Sequence, residues 1–326
     1  MRNSAQAAAY VFGAKPIVDS IDALQKLAGT GTQRGFTTTT PTYASINSST
    51  VGVQTAAFSD LGCPADGESQ NKAIAQLKAE LKVRYGVYIY SGDLTDEEKR
   101  AKFSGQKLTA CEELNAIYSL KKELAKYPPT YIRYTKLDEI RLIKKLKQDG
   151  NDWGGKACSS RSEACPIENS FFVELDDNGE PWGFHHELNH LAIKREQKFP
   201  IGDAEWVNLN GPEGAELYEY QWPLPAFNLF DRRTWKYFDI NSRPQGFAER
   251  YGTVDADEDQ ATVAWWLMNK YQDIMNIAQS DSILYAKISL MKKRMKERSG
   301  NLMGEDYWND LANGKVDENY WINRGH

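Results

Sequence analysis

The feature that most constrains this chain is the segment PWGFHHELNHLAIK, residues 181–194, which holds three of the four histidines in 326 residues. Apolar residues recur at helical spacing after Gly183, so the segment predicts a helix with one buried face. On such a helix His186 and His190 lie one turn apart, with Cβ atoms about 5–6 Å apart, and both imidazoles can reach one metal ion. Glu187 projects over the same position, where a carboxylate can take a proton from water held by the metal.

The HExxH spacing is rare by chance. With four histidines in the chain, a random occurrence is expected in about 3 of 1000 such sequences. A structural helix that happens to carry histidines remains the alternative. His185 does not fall on the ligand face, and we expect it to pack against the protein or support the ligands without binding the metal.

A catalytic zinc site needs a third protein ligand and an open position. No other histidine stands in a suitable place, so the third ligand should be a carboxylate. Acidic residues cluster in GFAERYGTVDADEDQATVAWWLM, residues 246–268, at the start of an apolar helix. The helix macrodipole favours acidic residues there without any metal. Spacing alone does not choose among four candidates, which are Asp255, Asp257, Glu258 and Asp259.

The stretch YGTVDADEDQAT, together with HExxH, resembles the motifs of gluzincin zinc metallopeptidases, the type found in the catalytic domain of anthrax lethal factor and in related small secreted proteases. In that family a tyrosine precedes the ligand glutamate by seven positions, as Tyr251 precedes Glu258 here. The resemblance implies that Glu258 is the third zinc ligand and that Tyr251 stabilises the oxyanion of the reaction. It covers roughly residues 114–276. It departs at Thr262, where the family motif has a second glutamate, and this puts one contact to the metal ligands in doubt.

The resemblance also implies a fold, an α+β zincin-like domain with a small twisted mixed sheet on helices, an active-site helix and a mainly helical C-terminal lobe. The order YPP, a candidate strand, DWGGKA and a second strand resembles the edge of the zincin sheet. There an extended peptide or protein substrate usually pairs with the edge strand. We place this domain at residues 66–326. Residues 1–65 form an N-terminal extension, with a short helix at residues 20–29 and a Thr/Ser-rich linker at residues 30–62.

Local patterns predict the other elements. Thr95 and Glu98 indicate a capping box in LTDEEKRAKF, and a longer helix through TACEELNAIYSLKKELAKY must end at Pro128-Pro129. The segment IENSFFVELDDNGE predicts a strand and a turn, whereas LDEIRLIKKLKQDG fits either a strand or a helix. Residues 199–246 predict long structured loops with short strands. Helices follow in DEDQATVAWWLMNKYQDIMN and DSILYAKISLMKKRMKER.

Charge and cysteine content bear on partners and location. The net charge of −5 gives no electrostatic reason to expect a nucleic acid or an acidic membrane surface. No apolar run approaches the roughly 20 residues of a membrane span. The four cysteines allow three pairings and do not fit a zinc finger, and a Cys158–Cys165 bond would close a short loop. Their even number and the sequon at residues 47–49 favour a secreted or exported protein. The N-terminus lacks an apolar signal segment, so a cytoplasmic location stays open.

We therefore expect a zinc-dependent endopeptidase in which His186, His190 and Glu258 hold Zn²⁺ and Glu187 is the general base. Two other classes remain. One is an inactive zinc-binding protein that uses the zincin fold for recognition, and the other is a metal-free helical protein. The sequence identifies neither the substrate, nor the oligomeric state, nor the role of residues 1–65.

Overall fold

A computed structural model of the chain describes residues 63, 66–175, 180–196, 203–211, 217–218 and 243–326. All of these residues belong to one compact unit, which spans Thr55–His326. The expected helix at residues 20–29 and the linker at residues 30–62 lie outside the described residues. Both stay predictions, as does the domain boundary after residue 65.

The first helix begins and ends at residues suited to those positions. Helix α1 (Gly67–Tyr85) follows Asp66, whose carboxylate accepts a hydrogen bond from the backbone N–H of Ser69 at 2.7 Å. It stops at Gly86, which has a φ of 80°, in the left-handed region where glycine avoids the strain of a Cβ.

Two capping boxes start the next helices. The predicted box of Thr95 and Glu98 is present before α2 (Asp96–Arg100), and a second box precedes α3 (Ala110–Ala125). Helix α3 ends before the two prolines, as predicted. The second proline is the first residue of α4 (Pro129–Thr135), a position where its missing N–H costs no hydrogen bond.

Among the described residues, six strands form one mixed sheet. They are β1 (Tyr88–Tyr90), β2 (Phe103–Gln106), β3 (Glu139–Gln148), β4 (Asn151–Asp152), β5 (Gly155–Cys158) and β6 (Ser170–Glu174). Strand β3 is central and runs parallel to β1 and β6, whereas β2 and β4 pair antiparallel with its second half. Strand β5 pairs antiparallel with β6 and forms one edge of the order β1-β3-β6-β5.

The segment that fitted either a helix or a strand is the central strand β3. Ile140, Leu142 and Leu146 alternate along it, whereas Ile143 breaks that alternation. All four are buried, because the strand lies between two neighbours and is covered on both faces. Strands of this kind show continuous apolar runs instead of alternation. The other predicted strand is β6, whose five residues are all buried.

In the described part of the chain, only helices follow the sheet. They are α5 (Phe184–Glu196), α6 (Ala204–Asn208), α7 (Ala256–Asn269), α8 (Tyr271–Ala278), α9 (Ser282–Arg298), α10 (Glu305–Ala312) and α11 (Tyr320–Asn323), with a 3-10 turn (Arg250–Thr253) before α7. Their apolar faces merge with those of α1, α3 and the sheet into one core cluster. The molecule is therefore an α+β protein with a mixed open sheet and a helical C-terminal half.

The prediction of loops and short strands over residues 199–246 is wrong for α6, the part of that range that the structure describes as regular. Asp203 caps α6 by accepting from the backbone N–H of Trp206 at 3.1 Å, and its carboxylate also binds Arg294 of α9. The Trp206 side chain is fully buried, and its Nε1 donates to Asp259 at 2.8 Å. A helix of five residues has little stability of its own, so these tertiary contacts stabilise it.

Two disulfides tie the unit together. The Cys158–Cys165 bond closes the short loop after β5 that the spacing of these cysteines indicated. The Cys63–Cys111 bond joins the segment before α1 to α3. Among the described helices, none is both long enough and apolar enough to cross a membrane.

Candidate active site

Helix α5 presents His186 and His190 on one side and packs its apolar residues on the other. Phe184, Leu188 and Leu191 are each 0% exposed, so the predicted apolar face is buried in the core. His186 and His190 keep about 15% of their side-chain surface accessible. One helical turn separates them, and their rings meet edge to face with centroids 4.7 Å apart.

Three side chains from α5 and α7 converge at one point. The Nε2 atoms of His186 and His190 lie 3.0 Å apart, and Oε2 of Glu258 lies 2.9 and 3.4 Å from them. Ligands at the usual zinc distances in a tetrahedral site are separated by about 3.3 Å. The donor atoms therefore already have the spacing of a tetrahedral site, and their types, imidazole nitrogen and carboxylate oxygen, suit zinc. These three residues could hold a metal ion.

The structure shows which of the four acidic residues lies close enough to the two histidines to be a third metal ligand. Asp255 is the N-cap of α7, where its carboxylate accepts from the backbone N–H groups of Asp257 and Glu258 at 2.9 and 2.8 Å. Asp257 pairs with a lysine of α5 at 2.6 Å, and Asp259 is buried against a lysine of α9 at 2.7 Å. Of the four, Glu258 is the residue whose carboxylate lies at the two histidines.

Glu187 lies beside the metal-ligand candidates and inside the protein, with 7% of its surface exposed. The backbone of Gly155 on β5 packs against it. A Cβ at position 155 would lie 2.5 Å from Cγ and 2.7 Å from Oε1 of Glu187. Burial, with the repulsion of the Glu258 carboxylate, raises the pKa of Glu187 in spite of the lowering by His186 and His190. The carboxyl group is therefore placed where it can hold or release a proton.

The electrostatics of the cluster are dominated by the Glu258 carboxylate. Burial lowers the pKa of His190, but the charge of Glu258, a hydrogen bond to it, and the charges of Glu187 and Asp257 together more than offset this effect, and the pKa rises to about 9. Burial also opposes the ionisation of Glu258, yet His190 and His186 hold the pKa of its carboxyl well below the usual range. The carboxylate is thus ionised, and the cluster favours positive charge at its centre.

Tyr251 reaches the cluster from the 3-10 turn before α7. It is 8% exposed, and its ring centroid lies 5.8 Å from that of His186. Burial, together with the carboxylates of Glu258 and Glu187 and a hydrogen bond to Glu258, raises the pKa of Tyr251 well above its ordinary value. The phenol therefore stays protonated at neutral pH and is a hydrogen-bond donor at the site.

These groups open into a cleft of about 280 Å³. Helix α5 and helix α7 form two of its walls, and Gly155, Lys156 and Ala157 of β5 form a third. Strand β5 pairs with β6 on one side and, within the described part of the chain, has no strand on its other side. Its free backbone edge borders the cleft, which is the arrangement that lets a strand pair with an extended peptide.

His185 points away from this cleft. Its Nε2 lies 2.5 Å from the carboxylate of Glu123, and its Nδ1 lies 2.9 Å from the hydroxyl of Tyr127. The ring is 2% exposed, and burial lowers its pKa. His185 therefore links α5 to α3 and lies outside the metal-ligand cluster.

Two residues border the site in ways that the sequence did not indicate. The backbone of Gly155 packs against the Glu187 side chain. The pair of glycines in DWGGKA was the sequence feature that could have indicated this close approach. Thr262, which stands where the gluzincin motif has a glutamate, lines the cleft one turn after Glu258 and is 3% exposed. Its hydroxyl has no hydrogen-bond partner among the described residues, so it does not replace the contact that the family glutamate would make.

Comparison with known proteins adds a remote structural likeness. No protein-family model matches the chain. No curated protein sequence matches it either. Among solved structures, the chain is similar to one described as a "putative zinc-binding metallo-peptidase from Bacteroides caccae", with 13% sequence identity and a TM-score of 0.45. The match covers 77% of this chain and 97% of that one. A likeness of this size identifies neither a family nor an activity for this chain.

Proposed function

We propose that the protein is a zinc-dependent endopeptidase of the gluzincin type, with the active site on a zincin-like domain. One observation carries the proposal. The donor atoms of His186, His190 and Glu258 converge within 2.9–3.4 Å of one another, and the buried carboxyl of Glu187 lies in the same cleft. A metal site that serves only structure is closed by four protein ligands, whereas three ligands at a cleft leave a position for a reacting molecule.

Each of these residues has a separate role in the proposed hydrolysis. His186, His190 and Glu258 would hold Zn²⁺, which supplies a Lewis acid and lowers the pKa of water to about 7. Glu187 takes one proton from the attacking water and delivers it to the nitrogen of the leaving amine as the C–N bond breaks. Tyr251 donates a hydrogen bond to the oxyanion that develops at the carbonyl oxygen.

The edge strand supports a polypeptide substrate in an extended conformation. The backbone of β5 borders the cleft beside Glu187, so a peptide that pairs with this edge would bring one of its carbonyl groups to the catalytic residues. Backbone pairing is independent of side-chain identity, and it therefore suits an endopeptidase that cleaves within a chain. Nothing in the charge of the protein favours a nucleic acid as the substrate. The two disulfides support a protein that works outside the reducing interior of the cell.

The test replaces the proposed base, Glu187, and leaves the proposed zinc ligands unchanged. Glu187→Gln and Glu187→Ala should keep the zinc content of the wild type and lower kcat/KM on a peptide library at least about 100-fold, because proton transfer is lost. Glu305→Gln is a matched control, since that side chain is 73% exposed on α10. Chelation should abolish hydrolysis, and added zinc should restore it.

The outcomes separate the competing functions. A wild-type protein that binds zinc and cleaves no peptide in the library would support the inactive recognition protein. Metal analysis that finds no zinc in the purified protein, and no uptake on titration, would support a metal-free protein in which α5 is only a structural helix. Glu187 variants that cleave as fast as the wild type would contradict the assigned mechanism.

A further inference from the structure

The cleft has an aromatic end and a charged end. Trp182 and Trp265 form the aromatic end, and Trp182 is 39% exposed. At the other end Lys194, in the last turn of α5, pairs with Asp257 at 2.6 Å. Because α5 runs along the cleft between these ends, the catalytic histidines lie between an apolar surface and an ion pair.

Trp265 is placed in the cleft by the periodicity of α7. Glu258, Thr262 and Trp265 stand at positions i, i+4 and i+7, so they share one face of the helix, and all three line the cleft. The neighbouring Trp266 turns the other way. It is 8% exposed, and its Nε1 donates to Glu249. Of the two adjacent tryptophans, one therefore packs into the protein and the other faces the site.

Trp182 is held against Trp265 by direct contacts. Nε1 of Trp265 donates to the backbone carbonyl of Trp182 at 2.9 Å, and the two ring centroids lie 5.6 Å apart at an interplanar angle of 52°. Gly183 packs on Gly154, where a Cβ would lie 2.8 Å from the Gly154 carbonyl oxygen. This close approach brings Trp182 next to the start of β5, the edge that the substrate would follow.

We propose that Trp182 and Trp265 form a specificity subsite for a large apolar side chain of the peptide substrate, aromatic or long aliphatic. The inference rests on the proposed peptidase function and names the substrates that the cleft selects. Two tilted rings already fixed in place offer an apolar surface that loses little conformational entropy on binding. An aromatic side chain that stacks on this surface buries apolar area on both partners and gains ring–ring contact.

The experiment measures selectivity. Wild-type protein, loaded with zinc, digests a peptide library, and the cleavage products are sequenced. We expect Trp, Tyr, Phe and Leu to be enriched at one position next to or near the cut bond. Trp182→Ala and Trp265→Ala should each lower kcat/KM for these peptides about 10-fold, the range expected when an apolar contact is removed from a pocket. Peptides with a small residue at that position should be cleaved at nearly the wild-type rate.

Two controls separate selectivity from folding. Trp265→Phe keeps a ring and removes the donor to Trp182, so it should retain most of the preference. Tyr285→Ala removes an aromatic ring that is 53% exposed on α9, outside the cleft, and should leave the preference unchanged. Trp182 is itself substantially exposed, so its replacement tests the subsite even where Trp265→Ala does not fold.

Each result decides between the two proposals. Cleavage without enrichment at any position, or enrichment that survives in both alanine variants, would overturn the subsite and leave the peptidase function standing. The absence of any cleavage by zinc-loaded wild-type protein would overturn the proposed function itself. Loss of activity in Trp182→Ala that is equal for all peptides would also overturn the subsite, because the residue would then act on catalysis and not on selection.

Discussion

The close contact between Gly155 and Glu187 leads to a prediction about the rate of catalysis. Replacing Gly155 with alanine adds one methyl group on β5, 2.5 Å from Cγ, 2.9 Å from Cδ and 2.7 Å from Oε1 of Glu187. The backbone itself accepts alanine, because Gly155 is absent from the glycines with positive φ. The clash therefore falls on the glutamate side chain.

The size of the effect follows from these distances. Ordinary van der Waals contact for a Cβ begins at 3.4 Å, so the Glu187 carboxylate must move by about 1 Å, and such a misplacement can lower a rate about 100-fold. A side chain that rotates away relieves most of the clash, so the cost in stability should be about 1 kcal/mol, at the low end for overpacking. The added methyl group does not contact the proposed ligands His186, His190 and Glu258.

The assay combines three measurements on one variant. For Gly155→Ala we expect a kcat about 100-fold below that of the wild type, unchanged zinc content and a melting temperature within a few degrees of the wild type. Gly67→Ala is the control, because a Cβ there meets nothing within 4 Å. A Gly155→Ala protein with wild-type kcat would refute the reasoning, since the base would then tolerate the displacement. Loss of zinc in this variant would show that position 155 acts through the metal ligands instead.

Two further predictions concern buried charges. Lys287→Met should lower the free energy of unfolding by about 3–5 kcal/mol, because the carboxylate of Asp259, 0% exposed, loses its positively charged partner at 2.7 Å. Urea denaturation measures the free energy of unfolding. A Lys287→Met/Asp259→Asn double variant should regain part of the lost stability, because the unpaired charge is removed. A double variant no more stable than Lys287→Met would contradict this explanation. For Glu174, burial raises the pKa to about 7, from 4.5 in the unfolded chain. The folded state then binds the proton more tightly, so Glu174 does not affect the free energy of unfolding below pH 4.5 and lowers it by about 3 kcal/mol above pH 7. Glu174→Gln should therefore raise the melting temperature relative to the wild type at pH 8 more than at pH 4, and equal differences at both pH values would count against it.

Several features of the fold could be predicted from local sequence alone. The capping box of Thr95 and Glu98 is present because it needs only residues three apart on one chain. The end of α3 before Pro128 follows from the missing N–H and the fixed φ of proline. The strand β6 follows from a short run of aromatic and β-branched residues.

Features that depend on distant residues were predicted poorly. The pattern of β3 was ambiguous because a central strand buried on both faces loses its alternation. Helix α6 was missed because its stability comes from Trp206, which packs on residues about 50 positions later in the chain, and from Arg294. No window of local sequence contains these contacts.

At the candidate active site, too, some features follow from local sequence and others from contacts between distant residues. The spacing of His186, Glu187 and His190 by itself determined that two imidazoles share one face of a helix beside a carboxyl group, because the helical repeat is a local property of the backbone. Which of four neighbouring acidic residues meets them depends on how α7 is rotated against α5. Contacts on either side of Glu258 set that rotation. Asp255 caps the helix, and Asp259 is drawn into the core by Lys287. Only the tertiary structure decided that Glu258 turns towards the histidines, since that choice rests on residues from three separate helices.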